Sequence, residues 1–149
     1  MKSFVRIALV VALGFLNGCG SGTSSLPPLT GTWLFTLTPA ASPSEVIQAL
    51  GTLRQVNSNS NEVSGQVTLT GSGTACGTMA EMSGILNGSN LTLRLTQSQS
   101  TISLTGTANT TVLSGIDASG KYTATAGPCL QNGGTGTWSA GLESNTSSN

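Results

Sequence analysis

Leu91-Thr92-Leu93-Arg94-Leu95-Thr96 is the stretch that decides the fold. Apolar and polar side chains alternate in it without a break. Successive side chains on an extended backbone point to opposite faces, so this is the pattern of a strand with one buried face and one wet one. The neighbouring segments are of the same kind. Asn87-Gly88-Ser89-Asn90 is a tight-hairpin signal, Gln97 to Ser100 reads as a polar turn, and Thr101-Ile102-Ser103-Leu104-Thr105 resumes the alternation.

Upstream, Thr30 to Thr38 alternates with Trp33, Phe35 and Leu37 on one face, and Pro39 ends the run. Val63 to Thr70 is another clear strand. Between them, Ser42-Pro43-Ser44-Glu45 admits two readings. It has the form of a capping box with Pro at the first helical position, followed by Val46, Ile47 and Leu50 at helical spacing and stopped by Gly51. Alternatively, Val46 to Val56 is a strand joined through the polar turn Asn57 to Asn61 to the strand that follows. The hairpin reading accounts for more of the residues and is adopted. Downstream, Asp117-Ala118-Ser119-Gly120 has the composition of a turn dividing the Leu113 and Tyr122 segments, which leaves the count open between eight and nine strands.

An apolar residue, then Ser or Thr, then Gly recurs four times: Val63-Ser64-Gly65, Met82-Ser83-Gly84, Leu104-Thr105-Gly106 and Leu113-Ser114-Gly115. By alternation each Gly shares a face with the apolar residue two before it. Glycines on the inner side of successive strands fit close packing and strand coiling better than floor space for a ligand. Short strands and tight turns, with no long helical pattern after residue 51, describe an all-β fold. The expected form is an antiparallel up-and-down meander of about eight strands, closed as a small soluble β-barrel that hides its edges. Gly31-Thr32-Trp33 opens this domain and Gly136-Thr137-Trp138 nearly closes it, and closure makes the first and last strands neighbours. In this the domain resembles lipocalin-like small barrels, whose first strand carries Gly-x-Trp with the indole plugging one end. The resemblance implies an interior able to hold a small apolar ligand, with Trp33, Phe35, Tyr122 and Trp138 as its contacts.

The N-terminus carries an address. Lys2 and Arg6 precede the apolar run Ile7 to Leu16, which ends in Leu16-Asn17-Gly18-Cys19. The run falls short of the roughly 20 apolar residues that cross a bilayer core, so cleavage is favoured over an uncleaved anchor. The four residues at its end resemble the lipobox of bacterial lipoproteins. That resemblance implies diacylglycerol on Cys19, an acylated new N-terminus and, because Gly rather than Asp follows the Cys, delivery to the outer membrane. The expected organisation is a signal peptide over 1–18, a lipidated flexible tether over 19–28, a barrel domain over 29–142 and a disordered tail over 143–149.

About 130 residues then remain, enough for one domain with a real core. Only 7% of the chain is charged; past the signal the bases are Arg54, Arg94 and Lys121, against Glu45, Glu62, Glu81, Asp117 and Glu143. Such scattered cations make no nucleic-acid footprint. A membrane-spanning barrel is disfavoured too, since aromatic residues at 4% are too few for two interfacial girdles.

With Cys19 taken by lipid, Cys76 and Cys129 remain, and a disulfide is the natural pairing in an oxidising compartment. It would close a loop of about 50 residues, worth roughly 4 kcal/mol on the chain-entropy argument. Two free thiols or half a metal site are the competing readings, and the chain has no His and no CxxC to serve the second. No catalytic constellation, metal site or cofactor is assigned. Glu81 and Asp117, close to repeat glycines, are the acids to watch, with solvated positions the favoured reading. Two function classes follow: a structural or interaction module of the cell envelope, partnered by the membrane and by an envelope protein, or a binder of a small apolar ligand.

Overall fold

The structure is a computed structural model, and it describes residues 29–55, 60–71, 76, 79–98, 100–109 and 117–144. Its strands are β1 Gly31–Pro39, β2 Ile47–Gln55, β3 Glu62–Thr70, β4 Met79–Asn87, β5 Asn90–Gln97, β6 Ser100–Asn109, β7 Asp117–Ala124 and β8 Gly134–Ser144. Each pairs antiparallel with the next, and β8 pairs with β1, so the meander closes into a barrel. The all-β, up-and-down, closed architecture is the one the alternation predicts.

Particular expectations resolve against this frame. Ser42 to Glu45 forms a turn, with the Glu45 N–H donating to the Ser42 carbonyl at 2.9 Å, and β2 follows it where the hairpin reading put a strand. Asp117 to Gly120 is not a turn: these residues are the first half of β7, and among the described residues there is no ninth strand. Ala118 and Gly120 face inward there, opposite Ala108 and Gly106, so small residues on both sides leave no apolar contrast for alternation to register. β8 runs to Ser144, two residues beyond the expected end of the domain. The fourth repeat glycine, Gly115, lies outside the described residues, as do Cys19 and the whole of 1–28.

Two hairpins are tight. Asn87 pairs with Asn90 around Gly88, whose φ of 62° is the left-handed region that Gly enters freely. Gln97 pairs with Ser100 across a turn in which Ser98 takes a φ of 52°. The Ser100 hydroxyl donates to the Gln97 carbonyl at 2.9 Å and helps hold that turn.

The barrel is strongly sheared. Stepping from pair to pair through Gly31, Leu53, Gly65, Met82, Leu95, Ile102, Ala124 and Gly134 leads past the far end of β1. The offset is about ten residues for one circuit, which tilts the strands steeply, and eight strands enclose a lumen of about the width that side chains can fill. Leu91, Leu93 and Leu95 are all buried, and Arg94 between them is exposed, its Nη2 donating to Thr101 Oγ1 at 3.4 Å.

Close inner packing explains the repeat glycines. Gly106 and Gly120 are cross-strand partners on the inner face. A Cβ on Gly106 would stand 2.0 Å from the Ser119 carbonyl oxygen and 2.8 Å from Trp138 Cζ2, and one on Gly120 would stand 2.0 Å from the Thr105 oxygen. The sheet bends sharply at this pair, and the Trp138 indole lies over the space the missing side chains leave. Gly65 and Gly84 likewise face inward, each against a neighbouring leucine.

The two ends of the barrel differ. Even strand number puts the start of β1 and the finish of β8 at one end, the base, where Leu29 is fully buried. The β1–β2, β3–β4, β5–β6 and β7–β8 connections cross the other end, the mouth.

Candidate functional site

Four aromatic residues were expected to line a ligand space, and all four lie inside. Trp33 and Phe35 alternate inward along β1, and closure brings Trp138 of β8 beside Leu37. The Trp33 and Phe35 ring centroids are 6.2 Å apart and those of Phe35 and Trp138 6.1 Å apart, at tilted angles of 33° and 41°. These are ordinary distances for packed aromatic pairs. Tyr122 stands outside this row. It pairs with Gly136 on β8, and its ring crosses the face of that glycine, where a Cβ would come within 2.6 Å of Cε1.

The aromatic residues therefore fill the lumen by packing on one another and on the leucines in one core cluster. Their polar atoms are treated unequally. Trp138 Nε1 donates to two backbone carbonyls, Thr105 at 3.2 Å and Lys121 at 3.1 Å. Trp33 Nε1, the Tyr122 hydroxyl and Gln97 Nε2 are buried with no hydrogen-bond partner among the described residues. Burial in apolar surroundings raises the Tyr122 pKa above its ordinary 10.0, because the phenolate is desolvated there.

At the mouth, Cys76 and Cys129 form a disulfide. It joins the β3–β4 connection to the β7–β8 connection, which lie on opposite sides of an eight-stranded ring, so the link spans the opening. Residues 125–133 are drawn over the mouth by it. Cys76, Cys129 and Leu130 pack partly buried against the core. The Gly127 and Gly133 N–H groups both donate to the Leu130 carbonyl, at 2.9 and 2.8 Å. Gly127 also sits against Ser100, where a Cβ would meet Ser100 Cβ at 2.3 Å, so this loop seats directly on the start of β6. Gln97 and Ser100 are the buried polar residues in this region. Nothing in the sequence pattern announced a lid; the cysteines announced only a link.

The acids do not assemble into a site. Glu81 is exposed on the outer wall opposite Gln66 and Thr96. Among the described residues no three His, Cys, Asp or Glu side chains come together.

Fold and interior together define a small, sheared, eight-stranded antiparallel barrel with an aromatic-packed lumen and a disulfide across one end. Comparison of the chain with protein-family models, with curated proteins and with solved structures finds no match.

Proposed function

We propose that the chain is a lipid-anchored lipoprotein of the cell envelope, held to the outer membrane through diacylglycerol on Cys19, and that its barrel is a non-catalytic structural or interaction module. The observation that carries the reading is Leu16-Asn17-Gly18-Cys19 at the end of an apolar run, followed by a Gly-, Ser- and Pro-rich stretch. The position of Leu29 supports it. This residue is buried at the base only ten positions after Cys19, so the tether reaches at most about 35 Å and the base faces the membrane. The disulfide-bridged mouth then faces away. A lumen packed with aromatic and leucine side chains leaves the outer surface to make contacts.

The test is Cys19→Ser in the full chain, followed by labelling with a radioactive fatty acid and by membrane fractionation. Loss of label and release from membranes are expected; persistent label with membrane retention overturns the anchor.

A second reading is that the lumen binds a small apolar ligand in the manner of lipocalin-like barrels. It is favoured by the three unpartnered polar atoms of Trp33, Tyr122 and Gln97, any of which a guest could satisfy. Native mass spectrometry separates the two: a co-purifying small molecule released on unfolding supports the ligand reading, and a bare protein mass supports the filled barrel.

A further inference from the structure

The outer wall has two characters. On one side Leu50, Met79 and Ile85 are exposed, with Glu62 opposite Ile85 and Glu81 beside Met79 on β4. On the other, from β6 through β8 to β1, the outward positions are mostly hydroxyls. One row across three strands reads Lys121, Thr137, Thr38, and the next reads Thr123, Thr135. Lys121 is the only cation among the described residues of that wall, and its cross-strand neighbours are Thr105 and Thr137 rather than acids. Among the described residues its ammonium makes no ion pair or hydrogen bond.

An open groove of about 580 Å³ runs beside this lysine. It runs over the backbone of Tyr122 and Gly136, whose side-chain positions face the lumen, and the loop Ala40 to Pro43 flanks it, pinned by the Ala40 N–H donating to the Thr135 carbonyl at 2.9 Å. Pro39, Ala40 and Pro43 supply an apolar flank, and Thr38, Thr123 and Thr137 supply hydroxyls. The volume falls within the range of small-molecule sites, and an apolar surface with a few convergent polar groups is their usual composition. A second groove lies over Gly84, but Glu62 and Arg94 both line it, so it selects no sign of charge. Glu45, the acid nearest in sequence to the Pro43 flank, lines a different cleft at the mouth.

The geometry points to the Gly136 groove as a binding site for a small amphipathic anion, a short acyl or aromatic carboxylate. Its apolar body lies along Pro39, Ala40 and Pro43, and its head group is held by the Lys121 ammonium and the threonine hydroxyls. A lone cation with no acid beside it attracts an anion without first breaking an ion pair. The site lies on the outer wall and rests on neither the anchor nor a ligand in the lumen.

Octanoate and octanol are the probes, titrated into the isotopically labelled full chain and followed by amide shifts and calorimetry. Saturable one-to-one binding of octanoate is expected, with shifts concentrated at residues 38–43, 121–123 and 135–137 and with octanol at least fivefold weaker. Lys121→Gln should weaken octanoate at least fivefold and Ala40→Glu should do the same, both substitutions being at exposed positions. Arg94→Gln, on the opposite wall, should change nothing. Equal affinity for octanoate and octanol, an unaltered Lys121→Gln, shifts confined to lumen residues, or no saturable binding each overturn the proposal.

Discussion

Trp138 and Tyr122 each carry a polar atom into an apolar lumen, and only Trp138 finds partners for it. The indole N–H reaches two carbonyls because Gly106 and Gly120 let the ring lie flat against the sheet. Adding a methyl there forces the ring and the Ser119 carbonyl apart. Gly106→Ala is therefore expected to cost about 1–3 kcal/mol, the usual penalty of overpacking, and to alter the near-ultraviolet signal of Trp138 before the strands are lost. The Tyr122 hydroxyl has no partner, and an unsatisfied buried hydroxyl costs on the order of 1–3 kcal/mol. Tyr122→Phe keeps the ring and removes the debt, so it should be more stable by about 1 kcal/mol at neutral pH, read from the denaturant midpoint. The same residue sets an alkaline dependence. Its folded pKa is raised by burial, so the unfolded chain ionises first, near 10.0. Stability from this group is unchanged below that pH and falls from there up to the folded pKa. Tyr122 is the only tyrosine, so tyrosinate absorbance reports it alone, and Tyr122→Phe should abolish that part of the alkaline loss.

Among the elements, the strands and the two closed ends answer to different physics. Eight ladders hold the wall, and none depends on the Cys76–Cys129 link. Replacing both cysteines by serine should cost about 2–4 kcal/mol in unfolding free energy while leaving the far-ultraviolet β signal intact. Faster amide hydrogen exchange should then appear first in residues 125–133. At the β5–β6 turn, Ser98→Gly relieves a left-handed backbone and should be neutral or stabilising by up to about 1 kcal/mol. Alternation made most of these strands legible in the sequence because leucines and threonines contrast at every step, as in β5. It failed at β7, where Ala118 and Gly120 give an inward face with nothing to contrast. The shared face of Trp33 and Phe35 was legible within one strand, whereas the contact of Phe35 with Trp138 exists only once β1 meets β8. The Lys121 groove was illegible for the same reason: it is assembled from β1, β7, β8 and a loop by register.

At the scale of the molecule, closure rests on the pairing of Thr32 to Pro39 with Gly136 to Ser144, contacts between the two extremes of the domain. A chain ending at Gly133 lacks β8 and leaves β1 and β7 with open hydrogen-bonding edges. Such edges recruit other chains, so that truncation is expected to aggregate, seen as rising light scatter with no cooperative unfolding transition. The same long-range pairing orders events in time. Chains emerge from synthesis N-terminus first, so β1 is exposed throughout while its second partner is the last strand to arrive. Hairpins such as β4–β5 and β5–β6 can zip locally within microseconds, but the ring cannot shut until some hundred residues have followed β1. Folding of this barrel is thus a race between its final strand and the first stranger to reach β1.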